Sequence, residues 1–230
     1  IWEILTIYFY VLIFLKKLKV FFMIKAVIFD MDGVLIDAKD WHYDALNKAL
    51  NYFGHNISRE DHLTTFDGMP TREKLALLSR DRGLPNGLHK FINKLKQQFT
   101  MQITHMNCYP KFEHENLLAN LKKDGYKIAV ASNAVRNSVR VMMELSCLDQ
   151  YLDFYLSNED VKNGKPDPEI YDLSIKKLKL MPSEVLIVED NFHGLEAARL
   201  SGGHVLQVHT IDDVNVDNIY AKVEEINSQL

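Results

Sequence analysis

The sequence has little of what marks a disulfide-stapled, zinc-dependent or nucleic-acid-binding protein. Among 230 residues there are two cysteines, Cys108 and Cys147. They make no disulfide framework and have no metal-site spacing, so a reducing, cytoplasmic compartment is expected. Nine histidines are scattered along the chain, and none falls in HExxH or a similar ligand pattern. Basic residues are in deficit: 27 Lys and Arg stand against 31 Asp and Glu, a formal net charge of -4. Nucleic-acid binders carry a basic footprint, so no nucleic-acid partner is expected. Internal repeats and low-complexity tracts are lacking, and the sequence carries no signal for oligomeric state.

A long membrane-spanning run is lacking too. Residues 1–15, IWEILTIYFYVLIFL, are mostly apolar. As a helix they would cover ~22 Å, short of the ~30 Å hydrocarbon core. Lys16, Lys17 and Lys19 follow the run instead of preceding it, the wrong order for a secretory signal. If the run is an anchor, those lysines keep the rest of the chain on the cytoplasmic side. Met23 stands just before the first strand signal. Residues 1–22 are therefore expected to be a non-core N-terminal extension, with a membrane anchor as the alternative.

What is present is an ordinary globular composition, 47% hydrophobic and 25% charged. From Met23 the pattern alternates short β-branched runs with amphipathic helices. Strands are expected over 25–29, 127–131, 154–156, 185–188 and 204–208. Helices are expected over 113–123, 136–145, 168–180 and 192–200, with a short final helix in the acidic tail. Between the first two strands there is no strand signal. Residues 41–53 and 88–105 have helical spacing, Ser58 with Asp61 resembles a capping arrangement, and Thr71 is expected to cap a helix carrying Leu75, Leu77 and Leu78. The fold class is therefore α/β, a parallel sheet core (23–37 and 107–230) interrupted after its first strand by an all-helical insert (38–106).

In such sheets ligands bind beyond the carboxyl ends of the strands. Every polar cluster of note falls there. VIFDMDGVLID puts Asp30 and Asp32 at the tip of the first strand, two apart and so able to face one site. Ser132 and Asn133 end the second strand, Lys165 follows the third, and Glu189 and Asp190 end the fourth. Acids this close repel unless a cation sits among them. All-oxygen ligation without His or Cys suits Mg²⁺. Lys165 and Ser132, with backbone N–H groups ahead of a helix, describe a phosphate pocket. One carboxylate can attack a phosphoryl group and a second can move the protons.

Asp30-Met31-Asp32-Gly33-Val34, Ser132-Asn133, Gly164-Lys165-Pro166-Asp167-Pro168 and Val188-Glu189-Asp190 resemble the four ordered motifs of the haloacid dehalogenase superfamily. The branch resembled is that of the sugar-phosphate phosphatases and β-phosphoglucomutases, over residues 24 to about 210. The resemblance implies a Rossmann-like core with a helical cap. It implies Asp30 as nucleophile and metal ligand, and Asp32 as general acid/base with its carbonyl on the metal. Ser132 and Asn133 would hold the phosphoryl group, and Lys165 would neutralise charge. Asp190 would bind Mg²⁺, with Glu189 a ligand directly or through water. The dehalogenase branch lacks the second acid, so Asp32 argues for phosphoryl chemistry.

In the cap, His42, Gly68 and Arg72 fall near the substrate-contacting positions of the mutase branch, and His42 and Arg72 each have a local structural role as the alternative. Asp67 before Gly68, Ala38 and Asn133-Ala134 depart from the mutase pattern. The expectation is a Mg²⁺-dependent phosphatase of small phosphorylated metabolites such as sugar phosphates. A phosphosugar mutase is the first alternative, and a catalytically inactive binding protein on the same fold the second.

Overall fold

The computed structural model describes residues 23–66 and 69–229. Five strands make one all-parallel sheet: β1 (Ala26–Phe29), β2 (Lys127–Ala131), β3 (Phe154–Leu156), β4 (Val185–Glu189) and β5 (His204–Gln207). Their spatial order is β3-β2-β1-β4-β5. Between β1 and β2 come α1 (Lys39–Asn51), α2 (Thr71–Arg82), α3 (His89–Asn107) and α4 (Phe112–Lys123). α5 (Arg136–Leu145), α6 (Glu169–Leu178), α7 (Phe192–Leu200) and α8 (Val216–Ser228) connect or follow the later strands.

The apolar runs form strands because both sheet faces are covered. Side chains alternate across a strand. Val27 and Phe29 of β1 join Ile128, Val130, Leu186 and Val188 on one face, under Leu117 and Leu121 of α4, Met142 of α5 and Ile219 and Val223 of α8. Ala26 and Ile28 join Ala129, Ala131, Val185 and Ile187 on the other, under Ile170 and Tyr171 of α6 and Ala197 and Ala198 of α7. All four residues of β1 are fully buried.

Strand order sets the site. From β1 the chain winds outward to β2 and β3, then crosses back to β4 on β1's other side and winds outward to β5. Loops leaving β1 and β4 thus part in opposite directions. Such a reversal opens a crevice at the carboxyl ends of the two strands. Phe29 lies level with Val188, so the residues after each emerge side by side at that crevice.

The described residues between β1 and α4 are helical wherever they are regular. They have their own apolar cluster, built on Leu46 and Leu50 of α1, Leu75 and Leu78 of α2, and Ile92 and Phe99 of α3. Ser58 accepts a hydrogen bond from the Asp61 N–H at 3.0 Å, as its spacing predicts. Thr71 does not cap α2: Pro70 holds the cap position without a side-chain bond, and Thr71 is the first helical residue. α6 ends at Leu178, two residues early, because Lys179 turns left-handed at φ 58°. The final helix is a full 13 residues, started by Asn215, whose side chain accepts from the Asn218 N–H at 3.0 Å. The expected extension 1–22 and the turn residues Asp67 and Gly68 lie outside the described residues. No helix among the described residues is long and apolar enough to cross a membrane.

Candidate active site

Asp30 leaves β1 with its N–H on the Val188 carbonyl at 3.0 Å, so the sheet ladder itself aims the side chain. Its Oδ1 is 2.6 Å from the Lys165 ammonium, and Lys165 donates equally to Glu189 Oε1 at 2.6 Å and to the Ala131 carbonyl at 2.8 Å. All three side chains are buried. Glu189 is further enclosed: the Tyr171 hydroxyl donates to Oε1 at 2.5 Å and the Asp190 N–H to Oε2 at 3.1 Å. The first turn of α7 closes over it. A Cβ at Gly194 would meet the Glu189 carboxylate oxygens at 1.9 and 2.2 Å, so only glycine fits there.

Electrostatics follow from this crowding. Burial pushes the Asp30 carboxyl well above the usual carboxylate range; Lys165 opposes it, and Glu189, Asp32 and Asp190 add to it. Burial alone would lower Lys165, but the charges and hydrogen bonds of Asp30 and Glu189 outweigh it and raise the ammonium's pKa. Asp190 is raised by burial, against its pairing with Lys39, with Glu189 adding to the rise. The Tyr171 phenol is held far above its ordinary value by burial and then by the Glu189 charge, so it stays a donor.

Such an arrangement fits a hard divalent cation. Asp30, Glu189 and Asp190 each offer an oxygen, all within 4.8 Å of one another. Among the described residues, Asp190 Oδ1 and Asp32 Oδ1 are buried without a hydrogen-bond partner. Orphaned carboxylate oxygens beside raised acids are what an oxygen-coordinated cation would satisfy. Asp190 Oδ2 is ion-paired with Lys39, the first residue of α1. Gly33 makes room for both: at φ +85° its backbone suits glycine, and a Cβ would meet Asp190 Oδ2 and Lys39 Cε at 2.3 Å.

The remaining expected residues divide. Ser132 is buried at the tip of β2, its Oγ accepting the Ala134 N–H at 3.0 Å. Asn133 clasps the main chain of Lys165, accepting its N–H at 3.0 Å and donating to its carbonyl at 3.3 Å. His42 of α1 reaches Asp32: its Nε2 is 3.1 Å from Asp32 Oδ2, and its Nδ1 is 3.2 Å from Lys96 Nζ of α3. Lys96 is buried, and burial lowers its pKa to about 8, against the pull of Asp32 and with Lys74 adding to the fall. Arg72 is exposed in the first turn of α2, with no bond to the acids among the described residues. Gly68 is not among the described residues.

Lys96, Tyr171 and Lys39 were missed from sequence. Lys96 had a legible signal: it stands with Ile92 and Phe99 on the buried stripe of α3, where an unpartnered ammonium would be costly. Tyr171 reads as a core aromatic, and nothing local marks its hydroxyl. Lys39 reads as a surface lysine.

The family profile described as haloacid dehalogenase-like hydrolase matches residues 27–208. The chain belongs to this family. Among curated haloacid dehalogenase-like relatives, a phosphorylated carbohydrates phosphatase of Thermotoga maritima is 29% identical over 196 residues, 82% of this chain and 88% of the relative. Pyrophosphatase PpaX of Bacillus mycoides is 26% identical over 198 residues, 80% and 83% of the two chains. Among solved structures, β-phosphoglucomutase of Clostridium difficile superposes with a TM-score of 0.74 at 23% identity, covering 88% of this chain and 98% of that one. At that identity the likeness speaks for the fold: a haloacid dehalogenase-like α/β core with a helical cap.

Proposed function

We propose that this hydrolase is a magnesium-dependent phosphatase of small phosphorylated metabolites, sugar phosphates among them, working through an aspartyl-phosphate on Asp30. The observation that carries the reading is the pairing of two differently placed acids. Asp30 is held by Lys165 at 2.6 Å, and Asp32 is held by His42 at 3.1 Å. One sits against an ammonium and is aimed for attack, the other is linked to an imidazole ring. The match to a phosphorylated carbohydrates phosphatase supports the substrate class.

Asp30 Oδ attacks phosphorus while the bond to the leaving oxygen breaks, and Asp32 gives that oxygen its proton. Asp32 then takes a proton from water, whose oxygen attacks the phosphorus, and Asp30 departs with its carboxylate restored. Lys165 offsets charge on Asp30 and the phosphoryl oxygens. Ser132 Oγ, with its proton free of the Ala134 contact, donates to that group. Asn133 fixes the Lys165 main chain as well as flanking the phosphoryl site. Asp30, Asp190 and the Asp32 carbonyl would hold magnesium, with Glu189 beside them. Bound there, the ion supplies the positive charge that keeps Asp30 ionised and draws phosphate oxygens in. Residues 38–106 are assigned to the cap, and His42 and Lys96 carry its side of the proton machinery; Arg72 and Gly68 are assigned to substrate contact by the family resemblance alone.

Release of inorganic phosphate from a panel of phosphomonoesters with Mg²⁺ tests this. Phosphate from at least one sugar monophosphate is the expected result. Isomerised substrate without phosphate release would establish the mutase instead, and no reaction across the panel the inactive binding protein.

Lys96 makes a pH prediction. A charged ammonium only donates, so His42 Nδ1 accepts and its Nε2–H donates to Asp32. As pH rises through about 8, Lys96 loses its charge and this polarity weakens. kcat/KM of the wild type is expected to fall on the alkaline side with an inflection near 8. In Lys96→Met that inflection should be missing. An unchanged alkaline limb in the variant would remove Lys96 from the chain of groups.

A further inference from the structure

Among the buried hydroxyls that the steps above do not use, that of Tyr171 reaches the acid site. Tyr171 is fully buried within the second apolar cluster, yet its polar end lies at the floor of the acid site. Its hydroxyl shares Glu189 Oε1 with the Lys165 ammonium, at 2.5 Å against 2.6 Å. Its ring also faces that ammonium, with Nζ 4.7 Å from the centroid, within cation–π range. We infer that Tyr171 is a positioning residue: it sets where Lys165 rests between Asp30 and Glu189, and so how much positive charge reaches the attacking oxygen. The inference rests on the phosphatase reading above.

The argument is one of competition for an ammonium. Lys165 has three donor protons and three acceptors: Asp30, Glu189 and the Ala131 carbonyl. Glu189 cannot turn away, because Gly194 closes over it and the Asp190 N–H holds its other oxygen. Its Oε1 therefore takes what donors it can find. With the tyrosine hydroxyl in place, part of that demand is met from below, and Lys165 can serve Asp30 fully. Without it, Oε1 draws on Lys165 alone, and the ammonium is pulled toward Glu189 and away from Asp30. The ring face supplies a second restraint, since it limits sideways motion of Nζ. A phenylalanine would keep the ring and the packing and delete only the hydroxyl, which separates the two contributions.

Tyr171→Phe is the test, in the full chain with Mg²⁺. Its thermal midpoint should stay close to that of the wild type, since the ring still fills its site. kcat should fall roughly tenfold, the scale of one lost charge-assisted hydrogen bond, with KM within about twofold. Inhibition by orthovanadate, which imitates the five-coordinate phosphorus, should weaken in step with kcat, while inhibition by inorganic phosphate stays within about twofold. Tyr171→Leu, which also lacks the ring, should lose more kcat than Tyr171→Phe. Wild-type kcat in Tyr171→Phe overturns the inference. So does a loss in which vanadate and phosphate weaken equally, or one that follows a lowered thermal midpoint, because both describe mere packing. A wild type that releases no phosphate from any substrate overturns the parent reading, and this inference with it.

Discussion

Asp30→Asn should lose turnover by on the order of 10⁴-fold or more, because an amide neither attacks phosphorus nor leaves as a stable group. The fold should survive. The substitution is isosteric, and it removes a charge that the site holds at a cost. Burial raises the Asp30 carboxyl well above its ordinary value even with Lys165 at 2.6 Å. A carboxyl raised in the folded state adds stability that is complete below its unfolded pKa, about 4. That stability is lost as pH climbs through the higher folded value. In EDTA, the contribution of Asp30 to wild-type stability should therefore be smaller at pH 7 than at pH 5. Asp30→Asn should lack that component and unfold at an equal or higher urea concentration at pH 7. Urea titrations at the two pH values, beside phosphate release, check both halves. Wild-type turnover in the variant would remove Asp30 as nucleophile. A sharply lowered urea midpoint at pH 7 would contradict the electrostatic account.

Lys165→Met should have the opposite pattern, with stability and turnover falling together. Lys165 is the common partner of Asp30 and Glu189, and all three are buried. Removing one member of a buried ion pair leaves an uncompensated charge and costs about 3–5 kcal/mol. Methionine fills much of the same volume, so packing contributes little to the loss. The remaining acids can escape by taking up protons. Without the ammonium, the Asp30 pKa rises further, so the deficit should be greatest near pH 7 and shrink toward pH 5. Urea unfolding in EDTA at both values measures it. Turnover with Mg²⁺ should fall as well, since Asp30 and the phosphoryl oxygens lose the ammonium that offsets their charge. An unchanged midpoint at pH 7 would mean that Lys165 does not balance the acids.

These two predictions use residues that stand out in the sequence, and the reason is local. VIFDMDG announces a buried strand ending in acids, and the period-two and period-3.6 patterns place β2, β3, α5 and α7 at their observed bounds. Two of the misreadings are local in cause as well. Pro70 displaced Thr71 from the cap of α2, and Lys179 ended α6 by turning left-handed. β4 continues one residue further than its apolar run, because Glu189 still pairs with Gln207 of β5. The site was less evenly legible. Asp30, Lys165, Glu189 and Asp190 meet, and His42 meets Asp32, but Lys96 and Tyr171 went unread. Each had a side chain that looks like ordinary helix material until its neighbour across the fold is known.

The sequence by itself determined the alternation of strand and helix, the helical insertion after β1, and the presence of acids, a serine and a lysine at strand ends. Those features depend on residues near one another in the chain, where spacing alone sets which face a side chain occupies. Tertiary structure decided the rest. Strand order laid β4 against β1, so that Glu189 and Asp190 came to Asp30. It also brought a lysine from 135 residues away between two carboxylates, a tyrosine beneath them, and a cap lysine behind His42. Those partnerships are set by which surfaces pack together and how buried charge is balanced, and no local period encodes either.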